Sequence, residues 1–410
     1  MKRSLLKILS AILIAGIVTG CGKSTGLETK RTVPKETKYL EQESVQAVES
    51  KADKSKTEDN SGRISFIGVG DNLIHTTIYE EADKYAGTQG DGKYDFSPMY
   101  SEVKELIEGN DIAFINQETV LGGYDLGLSG YPTFNSPAEI AQNIKDVGFN
   151  LVNTATNHAL DKGQQGIDNE LAALDKAGLV HSGVADSQQT YDSIPVFEKK
   201  GVKFSFLAYT YGTNGIDPPN SYSIHYFDDE TITSDVKKAK EISDVVIVSA
   251  HWGEENIDYA TDTQEHYAQL FADLGVDVVI GTHPHVIQPI KWYNGKDGNK
   301  TLVVYSLGNF LGGMLDINNT VSGAVRFDFV KGDSGVSVEN VKWIPLVIHF
   351  ETQGGDIMTG RTNYKIYPLS KYTEELAKKH SLNGYEGQTV TVDYYKEHTK
   401  KVIGNEFYSE

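Results

Sequence analysis

The chain has 410 residues, enough for one large domain or for two or three smaller ones. Its 38 Lys and Arg stand against 57 Asp and Glu, a formal charge of −19 that no basic stripe interrupts, which argues against nucleic acid as a partner. Its single cysteine, Cys21, rules out an internal disulfide and a thiolate zinc site.

The opening segment, MKRSLLKILSAILIAGIVTGCGKS, sets Lys2, Arg3 and Lys7 before an apolar centre from Leu9 to Val18, with a small Gly20 ahead of Cys21. That tripartite pattern is an export signal, and its apolar run falls short of the ~20 residues a membrane span needs. The run IVTGC resembles a bacterial lipoprotein box, in which the cysteine becomes the lipidated first residue. The expectation is a signal peptide over 1–20 and a lipid anchor at Cys21, holding the chain at the extracytoplasmic face of the bacterial cell membrane. Residues 21–62, rich in Lys, Glu, Ser and Thr, cannot bury enough apolar surface to fold, and predict a disordered tether with room for a short helix near Tyr39 to Lys51.

From Arg63 onward short apolar runs alternate with amphipathic stretches, the rhythm of an α/β domain. Strands are expected at 64–70, 111–116, 150–154, 202–209, 245–250, 276–281 and 301–306. Helices are expected at 99–108, 137–147, 165–177, 232–242 and 263–274. Runs such as DVVIVSA and VDVVIG are apolar on both faces and suit a sheet covered on both sides. Beyond Asn318 the alternation in TVSGAVRFDFVKGDSGVSVENVKWIPL predicts an antiparallel hairpin. Residues 351–410 read as a polar extension to a domain spanning 63–350, with a helix near 371–380. No internal repeat and no Walker loop stand out.

Polar residues gather just past the predicted strands: Asp71 and His75, then Asn116 and Glu118, then Asn157, His158 and Asp161, then His251 and Glu254, then His283 and His285, and finally Ser306 and Asn309. In an open α/β sheet those carboxyl ends form one rim, where ligands bind. Each residue alone is ordinary strand-end or turn chemistry; six strands delivering imidazole, carboxylate and amide to one rim are not. Such a donor set suits a pair of divalent ions (Mn, Fe or Zn) without selecting among them, and two ions bridged by one carboxylate can ionise a shared water near neutral pH. The loop YTYGTNGID, which carries Tyr209, Tyr211 and Asn214, is expected to line the substrate cleft.

Taken in order, Gly-Asp after the first strand, Asn-x-Glu (Asn116, Glu118), Asn-His-x-x-Asp-x-Gly (Asn157 to Gly163), His-Trp-Gly-x-Glu (His251 to Glu255), Gly-x-His-Pro-His (Gly281 to His285) and Ser-Leu-Gly-Asn-Phe (Ser306 to Phe310) resemble the CapA family of capsule and poly-γ-glutamate synthesis proteins. The resemblance runs through about 64–350. It implies the calcineurin-like metallophosphoesterase fold, a sandwich of two mixed sheets flanked by helices. It also implies a role in making, moving or anchoring an anionic cell-envelope polymer such as poly-γ-glutamate, with membrane subunits of a capsule synthesis complex as partners. Two functions arise as expectations: a metal-dependent hydrolase or transferase acting on that polymer or on a phosphoester, and a non-catalytic accessory that binds or escorts the polymer.

By the same resemblance Asp71, Glu118, Asn157, His251, His283 and His285 form the metal shell. His158 is the general acid and Asp161 holds its ring, while His75, Asn116, Glu254 and Asn309 are further candidates for the metal or for its ligands' hydrogen bonds. The sequence departs from the metallophosphatase pattern twice. Leu73 stands where those enzymes' Asp-x-His block has histidine, and Asn-Gln-Glu replaces Gly-Asp-x-x-Asp.

Overall fold

Residues 62–333 and 335–409 are described by a computed structural model. The expected signal peptide, Cys21, the tether up to residue 61 and the helix near 39–51 lie outside the described residues. The chain first lays down four parallel strands, β1 (Arg63–Asn72), β2 (Ile112–Gln117), β3 (Leu151–Asn153) and β4 (Val180–Ser182). It then builds a second sheet from β5 (Val196–Lys199), β6 (Val202–Thr210), β7 (Val245–His251), β8 (Val278–Thr282), β9 (Ile287–Asn294) and β10 (Lys300–Leu307). Their order is β5-β6-β7-β8-β10-β9, parallel at the centre with an antiparallel strand at each edge. The chain returns to the first sheet with β11 (Asn309–Leu311), which pairs with β1, and with β12 (Val321–Gly332), β13 (Gly335–Thr352) and β14 (Arg361–Pro368). That sheet reads β14-β13-β12-β1-β2-β3-β4, so both sheets are mixed.

Aromatic rings fill the space between the two sheets: Phe114 meets Phe206 at 6.1 Å and Phe204 meets Phe329 at 5.1 Å, edge to face, while Phe66 stacks on Phe327 at 4.4 Å. The outer face of the second sheet is covered by the helices Asp229–Ile242 and Asp262–Leu274, whose Ile232, Val236, Ala268 and Phe271 pack on Val246, Val248 and Val279. This two-sided cover is why β7 and β8 are buried at every position and carry no polar alternation.

Two glycines let backbones approach where the rim is built. A Cβ on Gly70 would stand 1.8 Å from the Gly308 carbonyl oxygen, and one on Gly281 would stand 1.9 Å from that of Tyr305. Because the obstacle is backbone in both cases, no side-chain rotation relieves it. Gly-Asp and Gly-x-His-Pro-His are therefore packing motifs as well as chemical ones: the glycine sets how closely the strand carrying Asp71 or His283 approaches its neighbour.

The structure differs from expectation in several local elements. The helix expected over 99–108 is two short ones, Ser97–Tyr100 and Lys104–Ile107. Helices at Thr76–Ala86 and Val392–Ile403 were not expected. The boundary placed at residue 350 falls inside β13, and the stretch beyond it supplies β14 and then a helix whose Tyr395 is buried in the main core. A buried imidazole pair ties this stretch down. His349 on β13 shares a 2.9 Å hydrogen bond with the Tyr372 hydroxyl, and His380 bonds the Ile348 carbonyl at 3.1 Å, with the two rings 5.3 Å apart.

Burial holds the pKa of His349 down at about 4 and that of His380 at about 3. In the unfolded chain both take up protons below ~6.5. Their contribution to stability is therefore complete above pH ~6.5 and is lost as pH falls toward 4. The urea midpoint should drop across that window, and the drop should be smaller in His380→Gln.

Candidate metal centre

Every candidate strand delivers its polar residue to the same rim. Asp71, Glu118 and His251 are fully buried, and Asn157, His283 and His285 nearly so. Three groups of side chains have ligand atoms within 4.8 Å of one another: Asp71, Glu118 and His285; Glu118, His251 and His283; and Glu255, His283 and His285. Glu118 joins the first two, and the two histidines of His-Pro-His join the third to them.

The backbone is bent to achieve this. His283 and His285 sit at φ +95° and +59°, a region that side chains other than glycine seldom occupy and that costs on the order of 1–3 kcal/mol per residue. The strained turn places both imidazoles on one centre, with Pro284 between them restricting the loop.

Amides and hydroxyls aim the donors. Asn153 donates to the Asn116 side-chain oxygen at 2.6 Å, and Asn116 donates to Asp71 Oδ1 at 2.7 Å, so Asn116 orients Asp71. Thr282 holds His251 Nδ1 at 2.9 Å, leaving Nε2 2.9 Å from Asn157 Oδ1. Asn309 Oδ1 lies 3.0 Å from His285 Nδ1, and the Asn309 amide donates to the His285 and Asn319 carbonyls. His158 Nδ1 is 2.7 Å from Asp161 Oδ2, which also accepts from the Phe134 amide at 2.6 Å, and the Phe134 ring meets His158 edge-on. A neutral carboxylate-held imidazole would carry its proton on Nδ1 in this arrangement.

What the cluster lacks is as informative. Asp71 Oδ2, both Glu118 oxygens and His283 Nδ1 are buried without a hydrogen-bond partner among the described residues. His285 lies within ion-pair reach, 3.2 Å from Asp71 Oδ2 and 3.5 Å from Glu118 Oε1, but not in hydrogen-bonding geometry with those oxygens. Burial pushes Glu118 well above the usual carboxylate range. Burial opposes protonation of His285, yet Glu118 and Asp71 outweigh it and hold its pKa at about 10. His251 and His283 are held well below 6.5, by burial first and then by neighbouring imidazoles, which leaves them neutral and fit to coordinate. Orphaned carboxylate oxygens beside neutral imidazoles are the donor set a divalent cation satisfies, so the residues fit a metal.

Several expectations need correction. His75 belongs to none of the three groups: its Nδ1 accepts from the Gly313 amide at 3.1 Å and its ring packs edge-on against Phe134. Tyr209 is buried on the helix-covered side of β6, where its hydroxyl bonds Asp235. β6 ends at Thr210, so Tyr211 alone turns into the cleft, 4.5 Å from the His283 ring. Asn214 is also there, its side-chain oxygen accepting from the Asn157 amide at 3.3 Å and its nitrogen 3.3 Å from His158 Nδ1. Glu254 is outside the groups and Glu255 is in them, because the turn at Gly253 (φ +90°) sets which of the two acids faces the histidines. The motif contained Glu255; its spacing did not reveal the turn.

Comparison with known proteins accords with this geometry. The family model described as bacterial capsule synthesis protein PGA_cap matches residues 65–314, more than half of the chain. The chain belongs to this capsule synthesis family. It is 34% identical to the PGA biosynthesis protein CapA of Bacillus subtilis over 171 residues, 41% of this chain and 44% of that protein. It is 31% identical to the capsule biosynthesis protein CapA of Bacillus anthracis over 182 residues, 42% of each. The chain thus spans less than half the length of these curated relatives. Among solved structures, an NAD nucleotidase of Haemophilus influenzae is similar at 13% identity, covering 85% of this chain and 63% of that one with a TM-score of 0.46. For this family member the fold is read from its own strand order.

If a cation completes the cluster, manganese at 100 times its dissociation constant should stabilise the chain by about 2.7 kcal/mol. Thermal melts with and without the metal, repeated on Glu118→Gln, measure this; the variant should lose the metal-dependent shift.

Proposed function

We propose that this chain is a membrane-anchored, divalent-metal-dependent hydrolase or transferase of capsule synthesis, acting on an anionic cell-envelope polymer or a phosphoester. The observation that carries the reading is the set of buried carboxylate oxygens with no hydrogen-bond donor, ringed by neutral imidazoles at one rim. The place of Glu118 in two of the three groups favours a centre for two ions, which Glu118 would help to hold. Bound there, the metal would polarise a substrate oxygen and ease ionisation of a water.

The chain's own residues supply the rest. Asp71, Glu118, Asn157, His251, His283 and His285 would hold the metal. Asp161 grips His158 at Nδ1, 2.7 Å away. In hydrolysis the water oxygen would bond to phosphorus or carbonyl carbon as its proton passes to solvent, the bond to the leaving oxygen or nitrogen would break, and a protonated His158, held by Asp161 at Nδ1, would give that atom the proton on its Nε2. Tyr211 and Asn214 flank the reacting group from the loop after β6.

Poly-γ-glutamate is the polymer the relatives' names suggest, with membrane subunits of a synthesis complex as partners. Leu73, in the place of a histidine ligand, favours a second reading, an accessory that binds and escorts the polymer without turnover. The expected export signal and Cys21 support a place at the extracytoplasmic face of the membrane. Cys21→Ser should move it from the membrane fraction to the soluble one; unchanged fractionation would refute the lipid anchor.

The full-length chain, stripped of metal and reloaded with manganese, should turn over an activated phosphodiester or a γ-glutamyl polymer. His158→Ala should lower that rate about 10²–10⁴-fold while retaining its metal. Bound metal with no turnover on either substrate would favour the accessory reading.

A further inference from the structure

The first donor group, Asp71, Glu118 and His285, contains one imidazole and two carboxylates and has no further donor from β1. The position two residues past Asp71 is the buried aliphatic Leu73, and His75 is turned to the Gly313 amide. Three protein donors are few for a divalent ion of this chemistry, which takes four to six.

Glu255 stands in a neighbouring group, which shares His285 with the first. A carboxylate oxygen of Glu255 and ring nitrogens of His283 and His285 lie within 4.8 Å of one another. The two histidines are buried and Glu255 is exposed, so it lies on the solvent side of the cluster. The loop that carries it is pinned on both sides. Before it, the Trp252 amide donates to the Thr282 carbonyl at 3.1 Å and its indole to the Tyr305 carbonyl at 2.9 Å. After it, the Asn256 amide donates to the Pro284 carbonyl at 2.8 Å, and Asn319 donates to the Asn256 side chain at 2.7 Å. The second pair of bonds ties the loop to the His-Pro-His turn itself. His283 Nδ1, buried and without a partner among the described residues, is the second sign that something is missing from this side.

We propose that Glu255 is a metal ligand, closing the centre on its solvent face beside His283 and His285. The proposal rests on the metal-centre reading above. Being exposed, this carboxylate is the donor that an incoming anionic group, a phosphoryl or carboxylate oxygen, can displace without unpacking the core. The buried ligands keep the metal; Glu255 yields the position that substrate takes.

The test uses the full-length chain, stripped with a chelator and titrated with manganese by equilibrium dialysis with metal analysis, alongside the Mn²⁺ electron paramagnetic resonance spectrum. Wild type, Glu255→Gln, Glu254→Gln and Glu118→Gln are compared. Glu255→Gln should weaken the last equivalent bound by about tenfold or more and alter its spectrum. Glu254→Gln should match wild type, and the metal-free melting temperature of Glu255→Gln should be unchanged because its side chain is exposed. Affinity and spectrum of Glu255→Gln within about twofold of wild type would overturn the proposal while leaving the metal centre standing. A wild type that binds no manganese, or a Glu118→Gln that binds as wild type does, would overturn both.

Discussion

A buried carboxylate with nothing to donate to it is the constraint around which this molecule is organised. Glu118 has no exposed surface and neither oxygen bonded among the described residues, and Asp71 beside it has one oxygen in the same state. Removing such groups from water without compensation is strongly unfavourable. A protonated His285 at ion-pair distance offsets part of that cost. A cation would offset more of it, and the neutral imidazoles of His251 and His283 add lone pairs that the ion pair alone leaves unused. The arrangement is costly for an empty cluster and favourable for a filled one.

The fold meets that constraint through rigidity. The donors stand at strand ends whose spacing is set by backbone contact at Gly70 and Gly281, so their separation does not depend on flexible side chains. Asn153, Asn116 and Asp71 form a chain of hydrogen bonds from β3 to β1 across β2, which turns sheet register into the angle of a carboxylate. Strain at His283 and His285 is sustained by the same network, since Asn309 and Asn319 both bond the His285 carbonyl. Preorganisation of this kind keeps ligands in place that would otherwise relax toward one another.

Much of this was legible in the sequence because parallel strands buried on both faces announce themselves as apolar runs, and the residues just past each run fall on one rim. All seven expected strands are present, and so is the convergence of the six principal candidates. What escaped reading depends on backbone direction at single residues. Whether Glu254 or Glu255 faces the centre turns on the positive φ of Gly253, and whether Tyr209 or Tyr211 does turns on where β6 stops. β14 was hidden because RTNYKIYP, at a sheet edge, opens on three consecutive polar residues and lies in a charged stretch. The Thr76–Ala86 helix was obscured by its neighbourhood: it starts directly after His75, among residues read for chemistry, and has no side-chain N-cap to mark its start.

Electrostatics bear on what such a centre can recognise. The partners of its carboxylates and imidazoles described above are amides, hydroxyls and one another, with no guanidinium or ammonium among them, and the chain as a whole carries −19. A phosphate or polyglutamate carboxylate approaching this rim meets a field that repels it, growing weaker only beyond the screening length of ~8 Å at physiological ionic strength. On the metal-centre proposal, attraction would come from the bound cation, acting on one or two anionic groups at a time. A long anionic chain gripped along its length would need a basic track; a single anionic group drawn from that chain to a metal needs only the centre. On that proposal the site would suit one anionic group better than many, and the exposed tyrosine at 211 and the amide at Asn214 are the neutral groups that can line its approach without adding to the repulsion.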